Sequence, residues 1–145
     1  MQRMKSLLLL LALVVSWFTA SPLQAADEAK AKAAAEPGAA AESFYAGYIA
    51  QVNANKDTKK WVAGSKAVTA KFKKAYAKAM GAEQVDADPV LNAQDVPSQP
   101  FKAGKPEVKD NTATVVLTAA FGKDKHSVTV TLVKVDGAWL LDAVK

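Results

Sequence analysis

The chain of 145 residues carries 19 basic and 14 acidic side chains, which give a formal net charge of +5, and half of its residues are hydrophobic. This length fits a single domain after removal of a targeting segment. Cysteine is absent, which excludes disulfides, thiolate metal sites, thiol nucleophiles and a lipid-modified N-terminal cysteine.

The first residues follow the pattern of a secretion signal. Arg3 and Lys5 form a positive start, residues 7–15 form an apolar run, and residues 21–25 supply the helix break and small residue that a signal peptidase needs. The run is shorter than the ~20 residues that cross a bilayer. We predict cleavage after residue 25 or, alternatively, residue 26, a periplasmic or secreted location, and no transmembrane segment in the mature chain. An uncleaved anchor is the competing interpretation.

Removal of this segment also removes Arg3, which is the only arginine, and lowers the net charge from +5 to +3. Planar, bidentate recognition of phosphate or guanine depends on arginine, whereas lysine supplies only a point charge. The composition therefore argues against a nucleic-acid partner.

Two helices are predicted before residue 82. Residues 26–41 are rich in Ala, Lys and Glu and lack an apolar stripe, so we predict a flexible spacer there, with a docking arm as the alternative. The domain then covers 42–145. Its first helix has one apolar face, made of Phe44, Tyr45, Tyr48, Ile49 and Val52. Asn53 and Asn55 tolerate the left-handed turn that ends a helix.

The second predicted helix follows a connector that contains Trp61 and Val62. It begins after the N-cap residue Ser65 and ends at Gly81. One face is predicted to carry Val68, Phe72, Ala75, Tyr76 and Ala79. Its flanks and back, with the residues just before it, form a basic patch that includes Lys59, Lys60, Lys66, Lys73 and Lys74. The patch fits an anionic lipid, a cell-wall polymer or an acidic partner, but a solvated helix back, whose lysine stems cover apolar neighbours, is the favoured interpretation.

An acidic stretch at 85–97 separates the helices from the strands. Pro89 suits a first helical position and Asp88 can cap the N–H groups that follow, which predicts a capped turn pinned by Val90 and Leu91. The candidate binding residues of this loop are Asp86, Asp88, Gln94 and Asp95. Their spacing does not match a calcium loop, so neither a metal nor a cofactor is predicted.

The remaining sequence predicts an antiparallel meander. A short strand in 101–109 is confined to an edge by Pro106. Alternating apolar residues over 113–121 and 128–135 predict two strands joined by a turn at 122–125, and Asp136-Gly137 predicts a tight hairpin. A two-residue turn there pairs Leu132 with Leu141 and Thr131 with Asp142, and puts Trp139, Leu141 and Ala143 on the dry face. Helices followed by a meander indicate an α+β fold.

Three pieces of the sequence together resemble a family of small exported bacterial proteins and lipoproteins that is known only as a domain of unknown function. These pieces are Phe44-Tyr45 with Tyr48, Asp86-x-Asp88-Pro89-Val90-Leu91-x-Ala93-Gln94-Asp95, and Asp136-Gly137-x-Trp139-Leu140-Leu141. The resemblance covers 42–144. It implies a nuclear-transport-factor-2-like, or cystatin-like, cone with helices in the concavity of a bent sheet, and it brings no established activity. Lipoprotein members have a cysteine that this chain lacks, so we expect a soluble protein.

The chain offers few groups for catalysis. His126 is the only histidine, and we place it at a hairpin turn as a surface residue rather than a general base. A concavity of the implied fold would be lined by Tyr45, Tyr48, Trp139 and Asp142. We predict a non-enzymatic module that binds an envelope protein or small ligand, for instance an inhibitor or immunity-type protein. The alternative is a small enzyme using Asp142 or Asp95 as its base. Monomer and dimer stay open.

Overall fold

The structure, a computed structural model, describes residues 36–82 and 85–145. The helices are α1 (Pro37–Asn53), α2 (Thr58–Gly64) and α3 (Ala70–Ala79). The strands are β1 (Lys102–Ala103), β2 (Glu107–Lys109), β3 (Thr112–Phe121), β4 (Asp124–Val135) and β5 (Ala138–Val144). They form one antiparallel sheet in the order β1-β3-β4-β5, and β2 also pairs with β3. The predicted α+β arrangement, with helices packed on an antiparallel sheet, is confirmed.

The N-terminal boundary of the domain differs from the prediction. The expected signal segment and residues 26–35 of the expected spacer lie outside the described residues. The rest of the spacer prediction is wrong, because α1 begins at Pro37 and buries Pro37, Gly38 and Ala41. Proline suits the first position of a helix because its fixed φ is helical and its missing N–H would be unpaired there. A Cβ on Gly38 would lie 3.3 Å from the Cβ of Ala103, so a small residue is needed at this contact with β1.

The connector predicted at residues 61 and 62 is in fact helical. The Asp57 side chain caps α2 by accepting a hydrogen bond from the Lys60 N–H at 3.0 Å. Val62 points into the core with 1% of its surface exposed, and Trp61 packs against the core from its edge. This short helix has only two large apolar side chains, which is too few to show a helical period in the sequence.

The predicted start of the next helix is also corrected. Thr69, not Ser65, is the N-cap of α3, and its Oγ1 accepts a hydrogen bond from the Phe72 N–H at 3.1 Å. Residues 67–69 are extended beside β5 instead of helical. The Leu141 N–H donates to the Ala67 carbonyl and the Thr69 N–H donates to the Leu141 carbonyl, both at 2.9 Å.

The last hairpin has the predicted turn and, over its first four pairs, the predicted register. Asp136 and Gly137 have φ values of 50° and 83°, as a tight turn of this kind requires. Pairing runs from Val135–Ala138 to Leu132–Leu141. A β-bulge follows, so Thr131 pairs with Ala143 and not with Asp142. Beyond the bulge, the side chains of β5 point to the opposite faces from those predicted. Val144, and not Ala143, therefore packs against the core.

The core lies between the helices and one face of the sheet. The helices contribute mainly aromatic side chains: Phe44, Tyr45, Tyr48, Phe72 and Tyr76. The sheet contributes mainly aliphatic ones: Val115, Leu117, Val128, Val130, Leu132 and Leu141. Neither described range, 36–82 or 85–145, contains a helix long and apolar enough to cross a membrane.

Candidate functional site

The acidic loop is built around the side chain of Asp88. Its Oδ1 accepts hydrogen bonds from the N–H groups of Val90 at 2.8 Å and Leu91 at 2.9 Å, which confirms the predicted capped turn. The Asp88 carbonyl accepts from the Asn92 N–H at 2.7 Å, and the Asp88 N–H donates to the Ala93 carbonyl at 2.9 Å. Val90 and Leu91 are buried and fix the turn against the core.

A network of side-chain hydroxyl groups joins this loop to all three helices. The Tyr48 hydroxyl donates to Asp88 Oδ2 at 2.6 Å and lies 2.9 Å from the Tyr76 hydroxyl, which donates to Thr58 Oγ1 at 2.9 Å. Burial, reinforced by the hydrogen bond to Asp88, raises the pKa of Tyr48 far above its usual range. The phenol therefore stays protonated and remains a donor. Asp88 therefore has a structural role, which is to fix the loop against the helices.

The space in which a pocket was predicted is occupied by side chains. Tyr45 and Tyr48 have no exposed surface, and the Tyr45 hydroxyl donates to the Val90 carbonyl at 2.7 Å. Burial, with a smaller effect of the Asp88 charge, raises the pKa of Tyr45 as well. Trp139 is buried on the core face of β5, and Lys134 Nζ lies 5.6 Å from the centre of its ring. These three residues are part of the core, which corrects the prediction that they line an open pocket.

Asp142, the fourth predicted pocket residue, lies at the bulge of β5 and joins that strand to the start of α3. Its Oδ1 accepts a hydrogen bond from Thr69 Oγ1 at 2.8 Å, and its Oδ2 accepts one from Lys71 Nζ. Burial alone would raise the pKa of Asp142, but the hydrogen bonds from Lys71 and Thr69 outweigh burial and hold it below its ordinary value. The carboxylate is already committed to two partners, so it is not a free general base.

We expect Asp142→Asn to weaken the fold in a pH-dependent way. At neutral pH the loss should be about 0.5–1 kcal/mol, because the Lys71 side chain is 71% exposed and its ion pair is screened by solvent. A lowered carboxyl pKa gives stabilisation that is complete above the unfolded value of about 3.9 and is lost as the pH falls through the folded value. The measurement is urea unfolding of both proteins from pH 7 to pH 2.

The difference between wild type and Asp142→Asn should therefore be constant near neutrality and shrink below about pH 4. Asp95→Asn is the matched control, because Asp95 is an exposed carboxylate that takes no part in this ion pair. A difference that stays unchanged at pH 2 would show that the variant acts through packing and not through charge.

The other polar residues of the loop are available at the surface. Asp86, Gln94 and Asp95 are exposed, and the pairing of Asp88 with Ala93 puts them on neighbouring chain segments at the base of the turn. In the two ranges that the structure describes, no group of three or more His, Asp or Glu side chains is placed to hold a metal ion. The loop thus presents short polar side chains from a fixed backbone.

The position predicted for His126 is wrong. The hairpin turn is shorter than expected, because Phe121 already pairs with Asp124, and His126 therefore lies within β4. Its Nε2 lies 2.9 Å from the Leu91 carbonyl, so this nitrogen carries the hydrogen and donates it. His126 thereby attaches the sheet to the acidic loop, a role that its sequence neighbours did not indicate.

The lysine patch lies on the solvent side of α2, α3 and the segment between them. Lys59, Lys60 and Lys74 are exposed and Lys73 is half-buried, as expected for the flanks and back of a helix. Lys66 is exposed too, but it lies between the two helices, which corrects its predicted place in a helix. Lys59 Nζ is 3.4 Å from the Met80 carbonyl, a long hydrogen bond. Among the described residues, Lys71 is the lysine that forms an ion pair. The patch therefore adds a positive potential to one side of the molecule.

A groove between α3 and β5 opens beside these lysines. Its volume is about 230 Å³. It is lined by Lys71, Phe72, Ala75, Tyr76, Ala79, Pro89, Asp142, Ala143 and Val144. Ala75 and Ala79 lie on the same helix face as Phe72 and Tyr76, as predicted, but they are exposed. The only signal for the groove in the sequence was alanine at these two positions of a helix face.

No protein-family model and no curated protein sequence matches the chain. Two solved structures share its fold. One is a chain of the type VI native effector–immunity complex Tae3–Tai3 from Ralstonia pickettii, with a TM-score of 0.64 and 19% identity, covering 77% of this chain and 94% of that chain. The other is from the SeMet form of that complex, with a TM-score of 0.58 and 21% identity, covering 76% and 95%. At this identity the likeness shows a shared fold.

Proposed function

We propose that this protein is a binding module of the immunity type, which neutralises an effector protein by binding it. The observation that carries the proposal is the fold shared with a chain of the Tae3–Tai3 effector–immunity complex over 94% of that chain. The immunity side of such a pair is favoured by the chemistry of this chain. It has no cysteine, its only histidine is bonded to a backbone carbonyl, and Asp142 is committed to Lys71 and Thr69.

Two further expectations from the sequence belong to this proposal. Residues 1–25 have the pattern of a cleaved signal, which supports a periplasmic or secreted location. Helices packed on one face of an antiparallel sheet are compatible with the nuclear-transport-factor-2-like fold and the exported family that the sequence resembles. Both features suit a protein that meets its partner in the cell envelope.

We propose the acidic loop as one contact surface for the effector. Asp86, Gln94 and Asp95 are exposed, whereas Asp88 holds the backbone beneath them through three hydrogen bonds. A binding loop that is fixed in advance loses little conformational entropy when it binds. The loop therefore combines accessible charge with a rigid support.

The test starts from the full sequence expressed with a C-terminal affinity tag. After cross-linking in cells, purification from the envelope fraction should recover one dominant protein partner. Expression of that partner alone should arrest growth, and co-expression of this chain should restore growth. A partner that leaves growth unaffected would contradict the immunity function.

The contribution of the loop is tested with the double variant Asp86→Ala, Asp95→Ala. We expect recovery of the partner to fall at least about tenfold, since truncation of a central contact residue often costs more than 1 kcal/mol. The control is Glu107→Ala with Asp124→Ala, which removes the same charge from exposed sites elsewhere. Equal recovery of the partner with both double variants would show that the loop is not part of the interface.

A further inference from the structure

We propose that the groove between α3 and β5 is a second docking site, which takes an acidic segment of a protein partner with one large apolar side chain at its centre. The assignment rests on the proposed function only in taking the occupant to be a protein. The groove holds about 230 Å³. Sites for whole small molecules are usually about 300–1,000 Å³. This volume therefore suits one side chain better than a complete ligand.

The walls of the groove are mainly apolar. Phe72 and Tyr76 form its floor on the helix side, and Val144 and Pro89 contribute apolar surface from β5 and the acidic loop. Ala75 and Ala79 line it from α3 with methyl groups only, so the space above them stays empty. Apolar surface in a concave site gains free energy when a partner removes it from water. An aromatic or long aliphatic side chain supplies the matching shape.

One flank of the groove, along α3, carries lysines. Lys71, Lys74 and Lys78 are exposed and lie three and four residues apart, so they share one side of α3, next to the groove-lining Ala75. The one acidic residue in the lining, Asp142, already accepts hydrogen bonds from Lys71 and Thr69. Lys74 and Lys78, which stand beside the groove on α3 and not in its lining, therefore supply the positive charge on this flank. An acidic segment complements it, and a neutral or basic segment does not.

The groove is also held in shape before anything binds. The Tyr76 hydroxyl on its floor donates to Thr58 Oγ1 and lies 2.9 Å from the Tyr48 hydroxyl, and Asp142 at its end accepts a hydrogen bond from Thr69 at the start of α3. The Asp142 bonds join β5 to the start of α3, and the Tyr76 contacts fix α3 against the other two helices. Binding then requires ordering of the partner segment alone, which lowers its entropic cost.

The probe is a fluorescein-labelled peptide of sequence Asp-Glu-Asp-Trp-Asp-Glu-Asp, titrated with purified protein from expression of the full sequence. Fluorescence anisotropy should show saturable binding, and replacement of the central Trp by Ser should weaken it at least about tenfold, because one large apolar side chain stays in water. Two single variants, Ala75→Leu and Ala79→Leu, fill the groove, and each should weaken peptide binding by a similar factor. Leucine is a good helix former, so both variants should fold.

Two matched controls separate the groove from general effects. Ala77→Leu makes the same exchange at an exposed position outside the groove lining of the same helix, and should bind within about twofold of wild type. Lys74→Gln with Lys78→Gln should weaken binding about fivefold or more, whereas Lys105→Gln with Lys109→Gln, on the far edge of the sheet, should not. Each control keeps the composition of the variant that it matches.

Three outcomes would overturn the proposal. The first is a groove-filled variant that binds the peptide as wild type does. The second is equal weakening by the two lysine pairs, which would indicate non-specific charge attraction. The third is tighter binding to phosphatidylglycerol vesicles that is lost with Lys74→Gln and Lys78→Gln, which would make an anionic lipid surface the occupant. Because the peptide assay needs no effector, its result is independent of the growth experiment.

Discussion

Asp88→Ala is expected to lower the free energy of unfolding by about 2–4 kcal/mol, the sum of a lost cap and a lost hydrogen bond to a buried hydroxyl. The Asp88 carboxylate accepts hydrogen bonds from the Val90 and Leu91 N–H groups and from the Tyr48 hydroxyl. Its removal leaves the cap of the turn empty and the Tyr48 hydroxyl with one partner fewer in the core. Guanidinium unfolding followed by circular dichroism measures the difference.

The control for this experiment lies two residues away. Asp86 is exposed, so Asp86→Ala should change stability by no more than about 0.5 kcal/mol in either direction. Comparison of the two variants tests whether stability depends on the Asp88 carboxylate or on the negative charge of the whole loop. Equal losses for both variants would contradict the structural role assigned to Asp88.

A truncation series at Tyr45 is expected to give the second large effect. Tyr45 is fully buried, and its ring packs against Phe44 and Phe101, with centroid distances of 5.9 and 4.9 Å. Tyr45→Phe removes the donor to the Val90 carbonyl and should cost about 1–3 kcal/mol. Tyr45→Ala also leaves a cavity and should cost at least about 3–5 kcal/mol.

The series distinguishes a core residue from one that lines a binding pocket. A side chain facing an open cavity contributes little to stability, so its truncation to alanine should cost less than about 1 kcal/mol. Leu140→Ala is the comparison, because Leu140 is half-buried, pairs with Val133 and is not part of the core cluster. If Tyr45→Ala costs no more than Leu140→Ala, the packed centre described above is incorrect.

The parts of the fold that the sequence predicts correctly are those set by neighbouring residues. The Asp136-Gly137 turn adopts positive φ values, and its hairpin has the expected register as far as Leu132–Leu141. The Asp88 cap is also a local contact, made with N–H groups two and three residues further on. In each case the residue type and the spacing determine the geometry without reference to the rest of the chain.

The errors arise where distant residues decide the local conformation. Val68 reads as part of a helix face, yet it is extended because the chain on either side of it is hydrogen-bonded to Leu141. The bulge at Asp142 lies where that carboxylate is bonded to Thr69 and Lys71, more than 70 residues earlier. Neither partner can be identified from the residues around Asp142.

The candidate site was predicted only in part, because some of its contacts also join residues that are distant in the sequence. The loop that carries Asp86, Gln94 and Asp95 was located from its own residues, and these side chains are exposed. The hydrogen bonds from Tyr48 and His126 to this loop span 40 and 35 residues and left no local pattern. The groove depends on how α3 and β5 meet, so alanines that look suitable for a core remain at the surface.

The extended segment at 67–69 has a consequence for self-association. It covers the outer side of β5 at Leu141, where another molecule would otherwise find a free strand to extend. The opposite margin of the sheet is divided into β1, of two residues, and β2, of three, separated by a stretch that contains Pro106. Lysines accompany both pieces. Neither margin is therefore a continuous template for fibril growth.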